Sequence, residues 1–252
     1  MIVLRSLAFN LALYLVTVAQ AILGLPVMLL PRRLAYRFGR SWADLILRLC
    51  AAIAGLGYEV RGREHLPKGP AIIAMKHQSA WDTFAVAVVF DDPAIVLKQE
   101  LMWIPFYGWY LWKSGMIAID RKAGPQALRK LVAAGKRAAA IGRPLVIFPE
   151  GTRTPPGTHR PYQPGVAALY RQLDLPLVPV AVNSGLFWGR RSFLKRPGRI
   201  TLEILPPIPP GGDRHQVMQE LERRIETATA RLVAEGQPGP SRRGKSGNLA
   251  QP

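Results

Sequence analysis

The sequence holds a single cysteine, Cys50, in 252 residues. No intramolecular disulfide framework can form from it, and no cysteine-rich zinc or iron–sulfur site can be built. Histidine is nearly as scarce: His65, His77, His159 and His215 leave little room for a metal cluster. Acidic side chains are also few, 16 Asp and Glu against 34 Lys and Arg, which leaves a formal charge of +18. Such a surplus favours an anionic partner, and both nucleic acid and an anionic membrane surface qualify on charge alone. Charged residues make up only 20% of the chain and hydrophobic ones 49%, so disorder of the whole chain is excluded. The length suits one domain of ordinary or slightly large size with ample core material. No internal repeat is visible.

The first departure from an average composition is a run without charge. From Ser6 to Leu30 no side chain is charged. A helix from Ser6 to about Leu25 would span roughly 30 Å, one hydrocarbon thickness. Gly24 and Pro26 interrupt it, and Arg32, Arg33, Arg37, Arg40 and Arg48 follow, interleaved with Leu34, Tyr36, Phe38, Trp42, Leu45, Ile46 and Leu49. That alternation predicts an interfacial helix whose arginines reach lipid headgroups. Two other readings compete: a cleaved signal peptide ending at Ala19-Gln20-Ala21, and a buried core helix. Arginines placed directly after the apolar run argue against export, because such clusters stay on the cytoplasmic side. Spanning the bilayer and lying in one leaflet remain equally open.

From Gly57 onward, short β-prone runs alternate with helical ones. Strands are predicted near Tyr58–Arg61, Ala71–Met75, Ala94–Leu97, Met116–Ile119, Leu145–Phe148, Leu177–Val182 and Ile200–Leu205. All are rich in Ile, Val and Leu, as buried strands are. Helices are predicted over Trp81–Val89, Pro125–Ile141, Val166–Gln172 and Asp213–Glu235, the last with Asp213 as its N-cap. The expected fold class is α/β, with a central mixed, largely parallel sheet flanked by helices and an N-terminal membrane-associated helical segment. Three divisions follow: residues 1–56 as membrane-anchoring helices, 57–235 as the principal domain, and 236–252 as a tail with almost no apolar content, expected to be disordered.

Chemistry concentrates at strand ends. Lys76-His77-Gln78-Ser79-Ala80-Trp81-Asp82 follows an apolar strand and precedes an apolar helix, at a carboxyl end where open α/β sheets place ligands. On one continuous helix, residues five apart diverge by about 140°. His77 and Asp82 can therefore pair only if a turn intervenes. Such a pair would fix the imidazole tautomer and leave the other ring nitrogen free to take a proton. Alone, the spacing is equally that of a loop histidine and a helix-capping aspartate. Phe148-Pro149-Glu150-Gly151-Thr152-Arg153 lies straight after another strand, and Gly115–Arg121 delivers Asp120 and Arg121 to a loop. Two guanidinium forks at one site would match a phosphate, although surface ion pairs would use the same residues. Val178–Gly185 is a strand carrying Pro179, which suggests an edge or shaping position, and the block as a whole reads as packing.

These four blocks, in this order, resemble the glycerolipid acyltransferases, and most closely the bacterial 1-acyl-sn-glycerol-3-phosphate acyltransferases. His77 and Asp82 match the His-x4-Asp motif of that family, and Gly115, Ile119 and Arg121 match its Gly-x-x-Phe-Ile-x-Arg motif. Ala118 departs from the usual phenylalanine. Phe148–Arg153 matches the Phe-Pro-Glu-Gly-Thr-Arg block at every residue, and Lys98-Gln99-Glu100-Leu101 resembles the segment between the first two motifs. The likeness covers roughly residues 57–210.

The resemblance implies acyl transfer from a thioester, on coenzyme A or acyl carrier protein, to the sn-2 hydroxyl of 1-acyl-sn-glycerol-3-phosphate. The product would be phosphatidic acid. His77 would be the general base and Asp82 its orienter, with backbone amides near them as oxyanion donors. Arg121, Arg153 and Lys98 would hold the phosphate, and Gly115, Glu150, Gly151 and Thr152 would shape the acceptor pocket. No metal and no cofactor beyond the thioester co-substrate is expected. The implied partners are the lysophospholipid, the donor and membrane lipids, and no nucleic acid; the implied place is the cytoplasmic side of a bacterial membrane. Transfer to another lysolipid, such as a lyso-ornithine lipid, and a non-enzymatic basic membrane-binding protein are the alternatives. His159, in a proline-rich loop, reads as non-catalytic, and Lys76 as solvated or in contact with donor phosphates. The aromatic cluster Trp103, Phe106, Tyr107, Trp109, Tyr110 and Trp112 suits an acyl groove, a lipid interface or a core.

Overall fold

A computed structural model describes residues 1–237; the predicted tail beyond Gln237 lies outside the described residues. Seven strands form one sheet: β1 (Leu56–Arg61), β2 (Ile72–Met75), β3 (Ala94–Lys98), β4 (Ile117–Ile119), β5 (Leu145–Ile147), β6 (Leu177–Val182) and β7 (Gly198–Ile204). Their order is β1-β7-β6-β2-β5-β3-β4. Every neighbouring pair is parallel except β6 and β7. Five strands thus run one way and the β1–β7 pair runs the other. All seven predicted strands are present, within one or two residues of the expected ends.

Helices cover both faces. Successive side chains of a strand point to opposite faces, and the core divides accordingly. Ile73 and Met75 of β2 join Val178, Val180 and Val182 of β6 on one side, packed against α3 (Trp81–Val89) and the start of the chain. Ile72 and Ala74 face the other side, with Leu131 of α5 (Gly124–Ala140), Leu169 of α6 (Pro164–Leu173) and Leu221 and Ile225 of α7 (Arg214–Gly236). Strands buried on both faces have no reason to alternate in polarity, which is why they read as continuous apolar runs. Asp213 caps α7 as expected, accepting from the amides of His215 and Gln216.

Pro179 corrects an expectation. It is not at an edge: β6 lies inside the sheet, between β7 and β2. Val180 opposite Ile204 is the last paired position of the antiparallel β6–β7 ladder, and beyond it the Leu205 amide donates to the Pro179 carbonyl at 2.9 Å. Proline has no N–H to return that bond, so it stands where the ladder stops rather than where it would break one.

The N-terminal segment forms α1 (Ile2–Leu23) and α2 (Arg32–Leu49), joined by a tight turn through Leu25–Leu29. Among the described residues α1 is the only helix long and apolar enough to cross a membrane, and only 11% of its most apolar window is buried. It is nevertheless docked. Arg5 Nε donates to the Ile53 carbonyl at 2.7 Å, the Lys195 amide donates to Ser6 Oγ at 3.0 Å, and Lys195 Nζ donates to Asn10 Oδ1 at 2.7 Å. The sequence-based helix inventory omits α4 (Tyr107–Lys113), a short helix in the aromatic cluster.

Cys50 lies where α2 runs into a wider turn and is wholly buried. Burial pushes its thiol up to about 12, with Lys195 opposing, and the buried Tyr36 phenol likewise rises to about 12. Both groups bind a proton in the folded chain that the unfolded chain has released, so stability falls as pH rises from about 9 toward 12. In Cys50→Ala that alkaline decline in the guanidinium unfolding midpoint is expected to be shallower. An identical decline in the two proteins would contradict the account.

Candidate active site

The order of the five co-directional strands, β6-β2-β5-β3-β4, sets the order of functional groups along their carboxyl ends. Ser184 follows β6, His77 follows β2, Glu150 and Arg153 follow β5, Lys98 ends β3, and Arg121 follows β4. Four sequence blocks far apart in the chain meet because parallel strands all deliver their C-termini to one side.

At the centre is a buried pair. His77 Nδ1 lies 2.9 Å from Asp82 Oδ2, with Asp82 in the first turn of α3 and His77 still in the loop, as the spacing required. The same carboxylate oxygen accepts from the amides of Gln78 and Ser79, both at 2.8 Å, and its partner Oδ1 accepts from Ser184 Oγ at 2.5 Å. Asp82 is fully buried with all these donors turned on it. An ionised carboxylate there makes Nδ1 the protonated ring nitrogen, leaving Nε2 as a proton acceptor. Phe148 stacks on the imidazole with ring centroids 4.0 Å apart and so fixes its plane.

Those hydrogen bonds narrow one expectation. Four amides near the first motif, those of His77, Gln78, Ser79 and Trp81, are already engaged and so do not face an oxyanion. The amides of Gln78 and Ser79 serve Asp82, that of His77 donates to Glu150 Oε2 at 3.1 Å, and that of Trp81 donates to Ser79 Oγ.

Beneath the histidine lies a second buried cluster. Lys76 is not solvated and does not reach a donor: it is 1% exposed, with Nζ 2.7 Å from Glu150 Oε1 and 2.8 Å from both Glu226 oxygens on α7. A buried ammonium needs such partners, because desolvation is repaid only by several well-placed opposite charges. Tyr162 Oη donates to Glu226 at 3.0 Å, and burial with the Glu226 charge pushes this phenol up, so it stays a donor. Glu150 therefore points into the protein, away from any ligand, and braces the His77 backbone. His159 contacts Glu222 of α7, which ties the proline-rich loop to that helix and leaves this histidine apart from the His77–Asp82 pair.

A cavity of about 800 Å³ opens in front of His77. Lys98, Arg121, Gly151, Thr152 and Arg153 line it with the histidine. The guanidinium of Arg121 donates to the Gly151 carbonyl, and burial lowers its pKa against the opposing charge of Glu100. It remains a cation at neutral pH. Lys98 is half-exposed and paired with Glu100 at 2.6 Å. Gly151 takes φ +69°, a left-handed turn that favours glycine and lets the block after β5 fold back toward Arg121.

Gly115 is not among the lining residues. It sits at φ +69° against the Arg143 guanidinium, which accepts no ligand because it donates to the carbonyls of Asp92, Pro93, Ser114 and Gly115. It packs closely on that arginine and accepts one of its hydrogen bonds. Three contributions were not legible beforehand. Ser184 on Asp82 comes from a block that read as packing. Arg190 and Arg191 add cations to the lining, and α1 and α2 form a wall of the cavity through residues such as Val18, Ala21, Tyr36 and Trp42.

Comparison with known proteins accords with this geometry. A family profile described as "Acyltransferase" matches residues 57–183. The chain is 38% identical over 211 residues to the 1-acyl-sn-glycerol-3-phosphate acyltransferase of Pseudomonas aeruginosa, covering 83% of this chain and 82% of that one. It is 31% identical over 197 residues to the 1-acyl-sn-glycerol-3-phosphate acyltransferase alpha of Mus musculus, covering 75% of this chain and 67% of the relative. The crystal structure of a 1-acyl-sn-glycerophosphate acyltransferase from Thermotoga maritima superposes with a TM-score of 0.77 at 20% identity, over 94% of this chain and all of that one. At that identity the likeness is one of fold.

Lys76→Met would leave the buried Glu150 and the partly buried Glu226 with no cation between them. The expected cost is about 3–5 kcal/mol in guanidinium unfolding, because removing one partner strands the others. Adding Glu150→Gln and Glu226→Gln to it should recover a substantial part. A midpoint unmoved by Lys76→Met would show that the cluster is not a buried ion network.

Proposed function

Because this chain belongs to the acyltransferase family, we propose that it moves a fatty acyl group from a thioester to the sn-2 hydroxyl of 1-acyl-sn-glycerol-3-phosphate. The observation that carries the reading is His77, oriented by Asp82 from behind, facing a cavity lined by Arg121 and Arg153 among its cations. His77 Nε2 takes the hydroxyl proton as the acceptor oxygen attacks the thioester carbonyl carbon. The carbon–sulfur bond then breaks, and the proton on His77 passes to the departing thiolate. The bond formed is the sn-2 ester, and the products are phosphatidic acid and the free thiol. A thioester is already activated, so the reaction needs no nucleophile on the protein.

Arg121 and Arg153, with Lys98 beside them, would hold the acceptor phosphate, since planar guanidinium forks match its oxygens. Gly151 and Thr152 would shape the surface against the glycerol, while Gly115 and Glu150 would act at one remove, through Arg143 and through the His77 amide. The apolar walls supplied by α1, α2 and α4 suit an acyl chain. Either coenzyme A or acyl carrier protein would serve as the donor's carrier. The apolar, exposed α1 and the arginines of α2 support attachment to the cytoplasmic face of a bacterial membrane, with residues 57–235 as the catalytic domain and 1–56 as its anchor.

His77→Ala is expected to lower kcat by about 10³-fold with membrane association intact, the usual scale for a lost general base. Equal turnover in mutant and parent would remove that role. Arg153→Ala should raise the KM for the lysolipid by about tenfold and leave the KM for the donor within about twofold, as loss of one charge-assisted contact implies. A defect confined to the donor would reassign the arginine. Labelled acyl transfer, offering several lysolipids with each of the two donors, tests the acceptor directly. Thiol release with a phosphate-free lysolipid at the same rate as with lysophosphatidic acid would overturn the proposed acceptor.

A further inference from the structure

The segment between β3 and β4 has two faces with opposite surroundings. Ile104, Phe106, Tyr107, Tyr110 and Leu111 line the cavity. Trp103, Trp109 and Trp112 face outward, 69%, 49% and 72% exposed. Trp109 and Trp112 stand three apart on α4 and so share one side of it. Indoles left in water forgo burial worth more than that of any other side chain, and clustered exposure of this kind marks an interaction surface.

The neighbours of the patch identify what covers it. Tyr110 Oη donates to the Ala21 carbonyl at 3.0 Å, and its ring lies 5.9 Å from that of Phe38, so α4 is pinned to the end of α1 and to α2. At that junction Gly24 packs so closely that a Cβ would meet the Phe38 ring at 2.1 Å and Tyr110 Oη at 2.6 Å. Leu23 and Leu29, 77% and 89% exposed, carry the apolar surface of α1 through the turn after it. Arg33 and Arg37 of α2 are also exposed. Tryptophan belongs at the headgroup level of a bilayer, and exposed arginines favour anionic lipid there. We propose that Trp103, Trp109 and Trp112 form a second membrane contact, distinct from α1, which seats the outer wall of the cavity in the headgroup region of an anionic bilayer. A lysolipid then reaches His77 sideways from the leaflet without passing through water. That route rests on the acyl-acceptor reading above; the contact itself does not.

The test uses the full chain bound to vesicles of phosphatidylethanolamine and phosphatidylglycerol. Lipids brominated on their acyl chains should quench the tryptophan emission of the parent. They should leave little quenching in the Trp103→Phe/Trp109→Phe/Trp112→Phe variant, whose remaining indoles, Trp42, Trp81 and Trp188, are buried or half-buried. Parent emission unaffected by brominated lipid, or still open to acrylamide on vesicles, would overturn the contact whether or not the protein is an acyltransferase. In a second arm, Trp109→Asp/Trp112→Asp should lower turnover of a long-chain acceptor held in the bilayer by about tenfold, since charge at this depth opposes seating. With a short-chain acceptor dissolved in water, its turnover should stay within about twofold of the parent under the same conditions. Equal loss on both acceptors would place the patch in the fold of the cavity wall and refute the seating.

Discussion

Four hydrogen bonds converge on the Asp82 carboxylate, and the site is built around them. Oδ2 holds the His77 ring and the amides of Gln78 and Ser79, while Oδ1 holds Ser184. A fully buried carboxylate tolerates its charge only when donors surround it. Here those donors close the β2–α3 turn and fasten the end of β6 to it. The group that orients the imidazole is thus also the group that shapes the loop in which the imidazole sits. Glu150 does the equivalent work from the other side, accepting from the His77 amide while Lys76, itself paired with Glu226, holds it in place. His77 is gripped at its ring by one acid and at its backbone by a second.

The sheet was the most legible part of the chain. The central strands β2, β5 and β6 are buried on both faces, so their apolar runs stand out against the polar loops around them. The His77–Asp82 pair was legible for a different reason: the spacing alone left the pairing open, but the neighbouring blocks pointed to it, and a pair at this separation needs a loop followed by a helix start, the geometry adopted. Residues whose role depends on distant partners were not legible. Lys76 reads as a surface lysine until Glu226, 150 residues later, is placed beside it. Gly115 and Glu150 sit inside motifs yet face away from the cavity, because a motif marks what must be present and not which atoms meet a ligand. Pro179 misled through a rule about hydrogen bonds whose answer depends on where the neighbouring strand ends. The short α4 escaped notice because seven residues, four of them aromatic, carry too little periodicity to distinguish helix from loop.

The cavity unites the two parts of the chain that differ most in composition. Its polar end is made by loops at the sheet edge, and its apolar walls come partly from α1 and α2. A surface on α1 that would otherwise be only an anchor is therefore also a boundary of the site. The polar ties at Arg5, Ser6 and Asn10 explain how an apolar helix keeps a fixed register against the domain, since apolar packing alone would let it slide. Lys195 is the hub of that arrangement, stacked 4.8 Å from the Trp188 ring while its ammonium serves Asn10.

The pairing of β1 with β7 carries a consequence for how the molecule is made. Residues 56–61 have no strand to join until residues 198–204 leave the ribosome, some 140 residues later. By then α1 has long since emerged. The reversed pair is the last piece of the sheet to be laid down, and it closes the fold beside a helix made long before it. Truncation anywhere before Gly198 would therefore leave β1 without the strand it pairs with, its backbone donors and acceptors open to proteolysis and to other chains.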